Sequence, residues 1–479
     1  MPSKKSPDHF QLAKCPTGIQ GLDEITLGGI PRGRPTLITG AAGSGKTLIG
    51  LEFLVKGATE FNEPGVFMAF EETAEELATN VSSLGFDLNT LVKEKKLALD
   101  YVYLERSEID ETGEYDLEGL FVRLGYAIDS IQAKRVVLDT IEVLFSSFAN
   151  ENILRAELRR LFRWLKQKGV TAIVTGERGT DSITRYGIEE YVADCVILLD
   201  HRVNEQLSTR RLRVVKYRGS YHGTNEYPFL IDKDGISILP ITSLGLIADA
   251  PLEKISTGIP GLDAMFEGKG YYVGSTLLVS GTAGTGKSTL AAQFAVAACK
   301  RKERVIYFAF EESPQQILRN MRQAGVDLEP CINDKSLIIR SERPSQLGLE
   351  MHLLQMMKMV AEFKPHAVVL DPMTNLISVG VEGDVKSIFT RFIDFLKMKQ
   401  VTCLFTSLVE PGGFEMTAAG VSSLMDAWIM LKQIDIHGES SRTLTIVKSR
   451  GMGHVNQSME YRLTADGLIL EDAPGLSRA

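Results

Sequence analysis

Cysteine is scarce and poorly arranged for chemistry. The 479 residues hold five, Cys15, Cys195, Cys299, Cys331 and Cys403, with no Cys-x-x-Cys pair and no histidine at zinc-ligand spacing. Scattered thiols in odd number argue against a disulfide framework or structural zinc and fit a reducing interior. Long apolar runs are missing too. No stretch approaches the ~20 residues that span a bilayer, and Met1-Pro-Ser-Lys-Lys-Ser-Pro-Asp-His9 lacks the apolar core of a signal peptide. A cytoplasmic protein without a membrane partner is expected. Positive charge is in deficit as well, with 53 Lys and Arg against 61 Asp and Glu, a net charge of −8. Wrapping a phosphate backbone needs a basic surface, so nucleic acid is not the expected partner.

Glycine is plentiful, and its placement is informative. Gly40-Ala-Ala-Gly43-Ser44-Gly45-Lys46-Thr47 recurs as Gly281-Thr282-Ala-Gly284-Thr285-Gly286-Lys287-Ser288. Both match the phosphate-cradling pattern G-x-x-x-x-G-K-[ST], and each stands between an apolar strand-like run and a helix-like segment. Glycines let the backbone curl its N–H groups inward, and the helix N-terminus adds a positive dipole end. Lys46 and Lys287 are placed to reach the terminal phosphates, and Thr47 and Ser288 to offer a hydroxyl to Mg²⁺. Two copies in the right context predict that the chain binds ATP twice.

The rest of the chain is duplicated around these loops. Thr17-Gly-Ile-Gln-Gly-Leu-Asp23 returns 240 positions later as Thr257-Gly-Ile-Pro-Gly-Leu-Asp263. The Phe-Glu-Glu of 70–72 returns at 310–312, Val-Val-Leu-Asp139 as Val-Val-Leu-Asp371, and Lys216-Tyr-Arg-Gly219 as Lys448-Ser-Arg-Gly451. A repeat this long is a whole domain. Strand-like runs (Thr36–Thr39, Val66–Phe70, Val136–Asp139, Ala172–Val174, Val196–Leu199) alternate with helical ones (Thr73–Leu84, Leu117–Gln132, Ile153–Lys168). Such alternation predicts an α/β fold with a mostly parallel sheet in each half. Arg210–Tyr217 and Tyr227–Ile231 read as antiparallel strands at one edge. The expected organisation is a disordered tail over 1–13, a domain over 14–240, a linker over 241–253 and a second domain over 254–479.

Several constellations carry chemistry. Asp139 and Asp371 end apolar strands, where a second Mg²⁺-side carboxylate belongs. The pairs Glu71-Glu72 and Glu311-Glu312 end another strand, on the side of the sheet that borders the ligand crevice. They could orient and deprotonate an attacking water or hydroxyl, or be acids at a helix start; the residues leave both readings open. Lys216, Arg218 and His222, repeated as Lys448, Arg450 and His454, put two cations on one strand face. They are either solubilising charges on an edge strand or groups lent to a neighbouring subunit's γ-phosphate, and their repetition favours a shared role. Ser422 and Ser423 precede Leu-Met-Asp426; from the residues alone they read as the cap of a helical turn.

In combination these motifs resemble the KaiC family of bacterial circadian clock proteins, over essentially the whole chain from about Cys15. Asn62-Glu-Pro-Gly-Val-Phe67, Phe70-Glu-Glu-Thr73 and Glu226-Tyr-Pro-Phe229 strengthen the likeness. The resemblance implies two tandem RecA-like P-loop NTPase domains in a double-ring homohexamer, with Mg·ATP between subunits. It implies a slow ATPase in the first domain, with Glu71 and Glu72 catalytic. It implies an autokinase and autophosphatase in the second, with Glu311 as general base and Glu312 beside it. Its phosphorylation sites fall on Ser422 and Ser423, and its regulatory threonine on Thr417. Pro372 stands where the family usually has Ser, so the backbone after Asp371 is expected to differ. The chain ends at Ala479, soon after the last expected strand. The C-terminal tail gripped by KaiA is therefore expected to be absent, and a KaiB-like partner is expected near Glu111–Leu120. Two alternatives are an ATP-gated scaffold without kinase activity and a DNA-dependent RecA-type ATPase.

Overall fold

The structure, a computed structural model, describes residues 12–102, 117–145, 151–179, 183–184, 192–204, 207–238, 251–268, 270–377, 385–409, 422–436 and 439–470. The expected tail and linker lie mostly outside these. The chain divides into two units, Met1–Ser243 and Leu244–Ala479.

The first unit opens with a short antiparallel pair, β1 (Lys14–Cys15) and β2 (Ile30–Pro31). Its main strands are β3 (Pro35–Gly40), β4 (Gly65–Ala69), β5 (Leu97–Tyr101), β6 (Arg135–Asp139), β7 (Thr171–Glu177), β8 (Cys195–Asn204), β9 (Leu207–Tyr217), β10 (Glu226–Asp232) and β11 (Gly235–Ile238). They form one nine-stranded sheet in the order β11-β10-β9-β8-β3-β7-β6-β4-β5. Pairings from β8 to β5 are parallel, and those from β8 out to β11 antiparallel. The central strands are buried on both faces, which is why they read as unbroken apolar runs. Alternation sorts their side chains: Ile38, Phe67, Val137 and Ile173 belong to one core cluster, and Leu37, Val66, Val136 and Val174 to the other.

The second unit repeats this plan. A short pair, β12 (Lys254–Ile255) and β13 (Tyr271–Tyr272), precedes β14 (Thr276–Gly281), β15 (Val305–Ala309), β16 (Leu337–Ser341), β17 (Ala367–Asp371), β18 (Thr402–Leu408), β19 (Ala427–Ile436), β20 (Glu439–Ser449), β21 (Met459–Thr464) and β22 (Gly467–Leu470). The sheet order is β16-β15-β17-β18-β14-β19-β20-β21-β22, the same topology as the first sheet read from its β5 edge. Both units are RecA-like P-loop NTPase domains. The edge strands β5 and β16 are absent from the sequence expectation. Past their first residue both are only half-buried, and β16 is exposed at Arg340, so neither carries a continuous apolar signal.

The repeated Thr-Gly-Ile-x-Gly-Leu-Asp motif has a structural cause. Asp23 accepts from the Thr17 N–H (2.8 Å), the Thr17 hydroxyl (2.7 Å) and the Gly18 N–H (3.1 Å). Asp263 likewise accepts from the Thr257 N–H at 2.7 Å. Arg135 is a buried cation of the first unit only. Its guanidinium donates to Glu63 Oε2 (2.7 Å), Phe53 O (2.8 Å) and Pro16 O (2.8 Å) and stacks on Phe53. A fully paired buried charge of this kind is tolerated where an unpaired one is not. Among the described residues no helix is long and apolar enough to cross a membrane.

Candidate nucleotide sites

Each glycine-rich loop links the C-terminal end of a central strand (β3 or β14) to a helix, Lys46–Glu60 or Lys287–Lys300. Gly45 and Gly286 precede those helices at φ +99° and +85°, a left-handed conformation that glycine adopts freely. At Gly40 a Cβ would lie 2.5 Å from Ser44 Oγ, whereas one at Gly43 or Gly284 would meet nothing within 4 Å. The loops are tight at their stems and open at their centres, the shape a phosphate requires.

Lys46 is buried, with its ammonium donating to Gly40 O (2.8 Å) and Ala41 O (3.1 Å). Lys287 does the same toward Gly281 O (3.0 Å) and Thr282 O (2.7 Å). Burial lowers the Lys287 ammonium, against the pull of Asp371 and Glu311.

Thr47 donates its hydroxyl to Asp139 Oδ2 at 2.7 Å, and Thr175 donates to the other oxygen. Burial raises the Asp139 carboxyl; Thr175, Thr47 and Lys46 oppose it. In the second unit Thr406 and Tyr307 donate to the two oxygens of Asp371, and Ser288 occupies the same helical position as Thr47. A hydroxyl and one carboxylate beside each loop fit Mg²⁺, a hard cation that draws its other ligands from water and phosphate. The peptide bonds Asp139–Thr140 and Asp371–Pro372 are both cis.

The glutamate pairs sit between strand and helix. The strands end at Ala69 and Ala309, and the Phe70 and Phe310 N–H groups donate to Asp139 O and Asp371 O, each at 3.0 Å. Thr73 with Glu76 and Ser313 with Gln316 form complete capping boxes for the following helices. Capping is thus done without Glu71-Glu72 or Glu311-Glu312, which follow strands whose last residues, Ala69 and Ala309, pair with Asp139 and Asp371. Burial, with Asp139, Glu76 and Glu71 nearby, pushes the Glu72 carboxyl up. Glu311 accepts from Asn375 Nδ2 (3.1 Å), and Glu312 from Asn320 Nδ2 (2.8 Å).

The repeated cations are not all on a strand face. β9 and β20 end at Tyr217 and Ser449, so Arg218 and Arg450 come after the strand. A register irregularity also interrupts each pairing near its end. Arg218 lies 3.7 Å from Asp194, and His222 stacks on Tyr217 with centroids 6.2 Å apart. His454 is half-buried in the loop after β20. In the second unit Lys448 Nζ donates to Ser422 O (3.1 Å) and Ser423 O (3.3 Å), and Arg450 to Ser423 O (2.7 Å). Burial and the Arg450 charge lower the Lys448 ammonium. Ser422 is half-buried and Ser423 exposed, in one helical turn. Thr417 and 111–116 lie outside the described residues.

Sequence reasoning missed Thr175 and Thr406, the hydroxyls on the strand-end aspartates. Their signal was present: both stand near the end of an apolar strand at matching places in the repeat. It also missed Tyr307, Trp428 and Tyr461, which donate to Asp371, to Ser280 Oγ (2.7 Å) and to Thr285 O (2.6 Å). These have no repeated partner to flag them.

A family model described as "ATPase: KaiC" matches residues 15–243 and again 255–473. The circadian clock protein KaiC2 of Synechocystis sp. is 58% identical over 467 residues, 97% of this chain and 82% of that one. The circadian clock oscillator protein KaiC of Synechococcus elongatus is 36% identical over 474 residues, 97% of this chain and 90% of that one. The protein of that name from Prochlorococcus marinus is 35% identical over 473 residues, 97% and 94% of the two chains. With both halves matched and both loops intact, the chain belongs to the KaiC family, and each half is an ATPase domain of that family.

Proposed function

We propose that the chain is an oligomeric ATPase and serine autokinase, hydrolysing ATP in its first half and phosphorylating Ser422 or Ser423 from its second. The observation that carries this reading is in the second half: beside its loop, lysine, hydroxyl, aspartate and glutamate pair, Lys448 and Arg450 converge on the backbone of two adjacent serines, where the first half's sequence has Glu190-Tyr191.

Inward N–H groups of the loops and Lys46 or Lys287 would bind and orient the phosphates. Thr47 with Asp139, and Ser288 with Asp371, would hold Mg²⁺, which supplies neutralisation of phosphate charge. In the first half Glu71 and Glu72 would orient water for attack on the γ-phosphate. In the second half Glu311 would accept the hydroxyl proton of a serine presented by an adjacent subunit, with Glu312 beside it. Lys216, Arg218 and His222, and Lys448, Arg450 and His454, are the groups each subunit would lend to its neighbour. That geometry calls for a ring, a hexamer by the family's precedent, with a KaiB-like protein as a further partner.

Intact mass after incubation with Mg·ATP tests the reading. The wild-type chain is expected to gain one or two phosphates, and the Ser422→Ala, Ser423→Ala double variant none. A double variant that still gains phosphate refutes the site. A wild type that assembles with ATP and releases ADP but never gains mass supports the scaffold instead.

A further inference from the structure

Around the second loop, three positions depart from the first half in the same chemical sense. Tyr461 stands where the first half has Phe229, as their equivalent pairings with Leu470 and Ile238 establish. Trp428, beside Leu278, replaces Val196, beside Leu37. Tyr307, beside Val369, replaces Phe67, beside Val137. Each replacement adds one buried donor, and each donor reaches the candidate site from behind: Thr285 O, Ser280 Oγ and Asp371 Oδ2.

The Thr285 bond has the most direct effect. The Thr285 carbonyl and the Gly286 N–H belong to one planar peptide, so a donor fixed on the oxygen also fixes the direction of the N–H. Leu463 closes the other side: a Cβ at Gly286 would lie 2.8 Å from its Cδ2. In the first half Ile231 takes the place of Leu463, its Cδ1 3.2 Å from where a Cβ at Gly45 would be, and Phe229 offers only a ring edge at 3.9 Å. A loop tied at its outer carbonyl must break that bond before it can open.

We propose that Tyr461, Trp428 and Tyr307 are positioning residues that brace the second loop, so that nucleotide leaves the second half more slowly than the first. The proposal rests on both loops binding nucleotide. The test is stopped-flow release of a fluorescent ADP from the full-length chain. Wild type is expected to release in two phases, the slow one lost in Lys287→Ala. Tyr461→Phe, which keeps the ring, is expected to speed the slow phase about fivefold, the factor for a hydrogen bond worth ~1 kcal/mol, and to leave the fast phase unchanged. Trp428→Phe is expected to act in the same direction. A purely structural role would shift neither phase selectively. A slow phase unchanged in Tyr461→Phe and Trp428→Phe overturns the brace alone. No loss of bound nucleotide in Lys287→Ala overturns the underlying reading as well.

Discussion

The two halves share a backbone plan down to the left-handed glycines and the turn after the strand-end aspartate, yet their polar atoms differ where the loops are supported. The helix after each loop carries a clear example. Glu52, almost wholly buried, accepts from the Ile236 N–H at 2.8 Å. Its counterpart Gln293 accepts from the Leu468 N–H (2.9 Å) and donates to Leu468 O (3.3 Å). The neutral amide makes both bonds without a buried charge. The acid is pushed up to about 7 by burial, with Asp232 and Glu60 adding to the effect and the Ile236 N–H and Lys56 opposing it. The two halves keep the same loop geometry and differ in the polar bonds around it.

The comparison can be broken most decisively at the glutamates. Glu71→Gln with Glu72→Gln is expected to cut steady-state ADP production by about 100-fold or more while leaving phosphoserine formation; Glu311→Gln is expected to do the reverse. Phosphate release and intact mass, measured on both variants, check this. If one change abolishes both activities, the halves do not divide the chemistry.

A smaller effect sharpens the contrast between Glu52 and Gln293. Because folding raises the Glu52 pKa, the folded state holds that proton more tightly than the unfolded chain does. Its contribution is complete below the unfolded value near 4.5 and is lost as pH rises through about 7. The first half is expected to lose on the order of 2 kcal/mol between pH 5 and 8, and Glu52→Gln to flatten that slope, read by denaturant midpoints across pH. Smallest is Trp428→Phe, which removes the Ser280 bond and is expected to destabilise the second half by about 1 kcal/mol in the same assay.

Much of the fold was legible because its signals are local or repeated. Buried parallel strands announce themselves as apolar runs, and the loops as fixed spacing. Thr73 reads as a helix start and is capped as such, and Ser313 caps the matching helix of the second half. What was not legible depends on which strands become neighbours. Thr175 meets Asp139 because β7 lies beside β6, and that order is not written in either strand. The bonds from Lys448 and Arg450 to the serines likewise appear only once β20 folds back along β19. Cation spacing alone suggested a strand face, and the strand ends before Arg450.

Arg135 has a consequence for how separable the two copies now are. Its bulk is admitted by Gly57, where a Cβ would meet the Arg135 Cδ at 2.5 Å; the corresponding pair in the other copy is Ala298 and Ala367. A chimera that transplants β6 into the second copy without its glycine would drive a guanidinium into a methyl group, where the counterpart of Glu63, Glu303, is already held by Arg301. Descendants of one duplicated gene, the copies have become lineages whose parts recombine only in matched sets.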